Sequence, residues 1–177
     1  MTRSLVVRSE KPEDGVAIDE VLVDAFRPGG SAVVGLVERI RASDAYVPDL
    51  ALVAEDDDGV IGFTMLSWVG LRGSSRDRIL DLTPVAVRTG RQRQGVGTAL
   101  IRTALARAEA MGEPGVMVEG VPDYYPRFGF ERGSSLGFEA PSPRIPDEAF
   151  MVRRLSTYEP GVAGRVVYPP AFDAPGI

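Results

Sequence analysis

The chain of 177 residues contains no cysteine and no histidine. Without thiol or imidazole, cysteine and Ser-His-Asp hydrolases, thiolate or imidazole metal centres and disulfide scaffolds are excluded. Acid–base work falls to carboxylates, tyrosine, serine, threonine, backbone and water. Lysine is nearly missing too: Lys11 stands alone, and every other basic residue is arginine. The net charge of −5 has the wrong sign for a dedicated nucleic-acid binder, so no nucleic-acid partner is expected. Long apolar runs are absent. The longest uncharged stretch, residues 59–71, carries Thr, Ser and Gly and falls short of the ~20 residues that span a bilayer. Arg8 interrupts the N-terminal apolar segment before it reaches signal-peptide length. A cytoplasmic protein with no membrane partner and no metal is the expectation.

What is present is ordinary globular composition, 44% hydrophobic and 25% charged, in a length suited to one domain. The expected division is a single domain over residues 1–157 and an extended Pro- and Gly-rich tail over 158–177, anchored to it by Tyr168 and Phe172. A short strand at residues 5–8 precedes a helix with Ile18, Val21, Leu22, Ala25 and Phe26 at helical spacing. Pro28-Gly29-Gly30 ends that helix, and Ser31 reads as the N-cap of a second one through Val37 and Ile40. Strand-like runs at residues 50–55 and 60–71 flank an Asp-Asp-Asp-Gly connector, the pattern of an antiparallel hairpin. A third run, Arg78–Val87, leads through a Gly-containing loop into an amphipathic helix with Val96, Leu100, Ile101, Leu105 and Ala108 on one face. With the strand Gly115–Glu119 that follows, this is a βαβ crossover whose two strands lie parallel. A short helix at 122–128 and a final strand at 149–156 complete the α/β reading.

Gln92-Arg93-Gln94-Gly95-Val96-Gly97-Thr98 opens that helix. The first amides of a helix lack internal partners and sit at the positive end of its dipole, and glycines let a phosphate approach them. Arg91 and Arg93 add charge at the same end, where the dipole alone would not favour them. No Gly-Lys-Ser/Thr follows, and position 100 is Leu, so neither the Walker loop nor the dinucleotide fingerprint is met.

Gln92-x-x-Gly95-x-Gly97, preceded by Leu82-Thr83-Pro84-Val85-Ala86-Val87 and followed by Tyr124-Tyr125-Pro126-Arg127-Phe128-Gly129-Phe130, resembles the GNAT superfamily of acetyl-CoA-dependent N-acetyltransferases, most closely its YhbS-like branch. The segment Gly120-Val121-Pro122-Asp123 departs from the family's pattern. The resemblance implies a twisted, mixed and mostly antiparallel sheet of about seven strands flanked by about four helices, split open between its fourth and fifth strands. It also implies acetyl-CoA as acyl donor, a small-molecule or peptide amine as acceptor, and pairing into a homodimer as many relatives do. By the same resemblance the backbone of Val85, Ala86 and Val87 pairs with the pantetheine arm, and residues Gln92, Arg93, Gln94, Gly95, Val96, Gly97 and Thr98 hold the pyrophosphate.

The family's base is an acid on the fourth strand, which here falls on Asp81; alternation places it on the face of Ile79, Thr83, Val85 and Val87, among apolar neighbours. Asp81 either serves as that base or pairs with Arg78, and Glu119 is the competing base. Tyr125 occupies the position of the family's general acid, while Phe26, Trp68 and Tyr124 are candidates for the acceptor side, Trp68 equally as a packed strand aromatic. A chain that binds an acyl-CoA without turnover, as a sensor or partner subunit, is the alternative.

Overall fold

The computed structural model describes residues 4–173; residues 1–3 and the last four residues of the tail lie outside the described residues. Gly59–Arg72 forms β3, buried along nearly its whole length, and is the spine of the sheet. A strand covered on both faces reads as a continuous apolar run, which is why this segment lacks polar alternation. On one side β3 pairs antiparallel with β2 (Ala51–Asp56), which in turn pairs with β1 (Val6–Ser9). On the other it pairs antiparallel with β4 (Arg78–Val87). Next to β4 lies β5 (Gly115–Glu119), parallel to it, and then antiparallel β7 (Phe150–Arg154) with β6 (Glu131–Arg132) at the edge. β8 (Arg165–Val167) comes from the tail and pairs with the end of β3. The described residues thus hold eight strands, and the one expected to be last, over 149–156, is followed by β8.

Among the described residues, three α-helices flank the sheet: α1 (Gly15–Ala25), α2 (Gly30–Arg41) and α3 (Val96–Ala110). Ser31 lies inside α2, whose N-cap is Gly29. The helix expected at 122–128 is a single 3-10 turn, Tyr125–Phe128, ended by Gly129 at φ 83°. No helix among the described residues is long and apolar enough to cross a membrane.

The helices seal two faces. α1 and α2 bury Ile18, Leu22, Val37 and Ile40 against Phe63 and Met65, whereas α3 buries Leu100, Ile101 and Ala104 against Leu66, Leu82 and Val118. Each of these side chains except Ala104 contributes roughly 1.5–3 kcal/mol of transfer free energy. Farther along β3, a third cluster of Val69, Ile79, Met117, Phe150 and Val152 has no α-helix of its own; the tail supplies Val166, Tyr168 and Phe172 to cover it.

Two irregularities create the site. Leu66 faces Leu82 and Thr64 faces Val85, so one residue of β3 spans both Thr83 and Pro84 of β4, a bulge. Pro84 has no N–H to continue the ladder, and the buried Thr64 hydroxyl donates to its carbonyl at 2.8 Å. The extra residue reverses the alternation. Leu80, Leu82, Val85 and Val87 share the α3 side, while Ile79 belongs to the opposite face together with Asp81. The sequence expectation that Asp81 shares a face with Val85 and Val87 is therefore corrected. The second irregularity is that β4 and β5 pair only at Leu80–Val116 and Asp81–Met117, after which they part.

Candidate active site

The mouth of this opening is formed by the start of α3. Gly95, at φ 85°, is the N-cap and offers no capping side chain, and the first intrahelical bond runs from the Ala99 amide to the Gly95 carbonyl at 2.9 Å. The amides of Val96, Gly97 and Thr98 precede it at the positive end of the dipole, an arrangement suited to an anion. Gln92 and Gln94 shape the loop through their side-chain amides, which donate to the carbonyls of Val87 and Gly90 at 3.2 Å. Arg93, at φ 59°, is exposed on it. Arg91 does not join Arg93. Its guanidinium is bound to Asp56 at 2.5 Å and to Asp58, tying the loop to the β2–β3 hairpin, so its charge is committed to the fold.

A cavity of about 280 Å³ runs inward from the loop, lined by Val85, Val87, Gln92, Arg93, Gly97, Tyr124 and Tyr125. A larger groove of about 510 Å³ lies beside α3 among Arg102, Arg127 and Arg153, and it includes no residue of the β4–β5 opening. Of the strand residues expected to contact an acyl donor, Val85 and Val87 line the cavity, whereas the Ala86 side chain is buried beneath α1 and α2, leaving only its backbone for contact. Tyr124 stands on the loop side: its hydroxyl is 3.2 Å from the point where a Cβ on Gly97 would sit, and Arg127 stacks on its ring at 4.6 Å. Trp68 packs against the same α3-side cluster as Tyr124 and also against the α1–α2 cluster, where Phe26 lies.

Tyr125 follows edge-on, with ring centres 5.2 Å apart. Burial, reinforced by Tyr124 and Asp81, pushes its phenol up to about 12, so it holds its proton at neutral pH. Phe128 and Phe130 behind it are core residues.

Asp81 lies at the last paired position before β4 and β5 part, and it is 0% exposed. Neither of its oxygens has a hydrogen-bond partner among the described residues. Arg78, the expected partner, stacks instead on Trp68 with its guanidinium carbon 3.8 Å from the ring centre. Burial pushes the Asp81 carboxyl up to about 7; Thr83 pulls the other way without an aligned hydrogen bond, and the Glu119 carboxylate adds to the rise. Directly across β3 stands Ser67, also fully buried and also without a partner for its hydroxyl. Buried polar groups are normally satisfied, so two facing orphans make Asp81 and Ser67 candidates for a functional site. Ser67 was visible in the sequence only as a polar break in an apolar run. Glu119 ends β5 in an exposed position, where the Tyr168 hydroxyl donates to it at 3.3 Å. Tyr168 was legible as a tail anchor but not as a neighbour of the two acids.

A parallel strand pair that opens beside a buried acid, with an uncapped helix N-terminus at its mouth, defines an acyltransferase of the acetyl-CoA-dependent type. A family model for the acetyltransferase (GNAT) domain matches residues 48–132. The chain is 32% identical to the N-acetyltransferase YhbS of Escherichia coli (strain K12) over 171 residues, covering 96% of this chain and 99% of that protein. The crystal structure of YhbS in complex with CoA aligns at a TM-score of 0.88 and 30% identity over 100% of this chain and 96% of that one. A GNAT family acetyltransferase from Brucella melitensis in complex with acetyl-CoA aligns at 0.77 and 32% identity, covering 96% and 99%. The chain belongs to the GNAT family of N-acetyltransferases.

Proposed function

We propose that this enzyme moves an acetyl group from acetyl-CoA directly to a primary amine of a small molecule or peptide, within one ternary complex. The observation that carries this reading is the position of Asp81, a buried acid without a hydrogen-bond partner at the last rung before β4 and β5 part, close enough to Tyr125 of the cavity to help raise its phenol. The site fits the donor: the amides of residues 96–98 and Arg93 suit a pyrophosphate, and Gly97 leaves a hollow against Tyr124 that any Cβ would fill. Bound there, the donor supplies an activated thioester. The exposed edge of Val85 to Val87 guides the arm, and a backbone N–H near Val85 polarises the carbonyl.

An amine is protonated at neutral pH and must shed a proton before it attacks. Asp81, near 7, is partly ionised under those conditions and accepts that proton through water, with Glu119 at the outer end of the opening as the competing acceptor. Tyr125, protonated throughout the neutral range, returns one to the departing sulfur. With no cysteine in the chain, an acyl-cysteine intermediate is excluded, which supports direct transfer over a route through another nucleophile. Phe26, Trp68 and Tyr124 serve the acceptor side; Phe26 and Trp68 pack on the α1–α2 cluster, as does Phe172 of the tail. The test is thiol release from acetyl-CoA in the presence of a panel of primary amines, with D81N and Y125F as controls. Amine-dependent release that D81N abolishes supports the reading, and release unaffected by D81N removes Asp81 from the mechanism.

A further inference from the structure

We propose that Tyr168, delivered by the C-terminal tail, is a positioning residue of the transfer site: its ring closes the apolar face over Asp81, and its hydroxyl holds Glu119 at the outer end of the β4–β5 opening. The role rests on Asp81 being the base, as set out above.

The geometry begins with β8. Val167 pairs with Gly70 of β3, so the next residue leaves the ladder at the level of the third core cluster. There Tyr168 packs among Val69, Ile79, Met117, Phe150 and Val152, which are the neighbours of Asp81 on its own face of β3, β4, β5 and β7. Its ring stacks on Phe172 with centres 4.8 Å apart and planes 4° from parallel. Phe172 reaches into the α1–α2 cluster, and Arg39 of α2 donates to the Ala171 carbonyl at 3.0 Å, so the tail is pinned on both sides of the tyrosine. Loop residues such as Phe138 and Val162 bury other parts of this face; beside the acid the cover is the Tyr168 ring. Glu119, two residues beyond the partner of Asp81 on β5, receives the Tyr168 hydroxyl at 3.3 Å.

The titratable groups that bear on Asp81 are Glu119 from β5, Tyr125 from the 3-10 turn and Tyr168 from the tail. Truncating Tyr168 removes the ring and also releases Glu119, so Y168F, which loses the hydroxyl and keeps the ring, separates the two effects. Admitting water to a buried carboxyl stabilises its charged form and lowers the pH at which it ionises.

The experiment follows the Asp81 carboxyl by ¹³C NMR titration in the full chain with labelled aspartate, D81N identifying the resonance. In Y168A the midpoint is expected to fall by about one pH unit or more, a tenfold change in the protonation equilibrium. In Y168F, which keeps the ring and releases only Glu119, it is expected to stay closer to the wild-type value than in Y168A. An unchanged midpoint in folded Y168A overturns the proposal. If a thermal melt shows that Y168A does not fold, F172A, which removes the stacked ring, carries the same titration: a fall supports the seal and no change overturns it. The NMR readout is independent of turnover, so it separates failure of this proposal from failure of the base assignment, which the D81N rate decides.

Discussion

Gly120 lies directly beneath the ring of Tyr125: a Cβ at position 120 would come within 2.2 Å of the tyrosine's Cε2. The glycine that follows β5 therefore sets where the phenol stands. G120A should displace the ring and lower kcat with little change in acetyl-CoA affinity. A rate equal to wild type would show that the ring's seat is immaterial.

Removing only the phenol oxygen is the cleaner test of proton donation. Y125F should lower kcat by about 10²-fold or more, the range for general acid catalysis, with an unchanged dissociation constant for CoA by calorimetry. Equal losses in kcat and affinity would make Tyr125 a binding residue instead.

The two loop arginines should behave differently. Arg93 lines the cavity and R93A should weaken CoA binding about fivefold to tenfold, consistent with loss of one charge-assisted contact. Arg91 is bound to Asp56 and Asp58, so R91A should lower Tm while leaving CoA affinity nearly unchanged in the folded protein. Calorimetry and thermal melts on both variants read the contrast directly.

Asp81 should be a liability to stability. Its carboxyl is raised to about 7 from an ordinary unfolded value near 4, so the folded state holds the proton more tightly than the unfolded chain does. Stability contributed by this group is then complete below about pH 4, falls as pH rises through the folded value, and is level above it. At pH 8, D81N should exceed wild type by on the order of 2–4 kcal/mol, with the gap closing toward pH 4. Urea unfolding at the two pH values measures it; a constant gap would mean that Asp81 ionises normally.

Much of this architecture was legible in the chain. The bounds of β4 and β5 follow from their apolar runs, and the Gly-rich loop before α3 announces an anion site through backbone chemistry alone. Asp81 follows from the family resemblance, which implies an acid on the fourth strand. Its face was misjudged because strict alternation fails at a bulge, and Pro84 signals a break without saying how many residues it adds. Arg91 was assigned to the ligand because local spacing does not reveal that Asp56 and Asp58 approach from another hairpin. Ser67 and Tyr168 escaped for a related reason: their meeting with Asp81 and Glu119 depends on strand register and on β8, and both are long-range.

The most direct measurement is thiol release from acetyl-CoA by the purified chain, whose own lack of cysteine leaves no background, with the acetylated amine quantified by mass spectrometry. The expected result is release that requires a primary amine, matches acetylated product one for one, and is lost in D81N. Tight acetyl-CoA binding with no amine-dependent release across a broad panel of small amines and peptides would contradict a working transfer site.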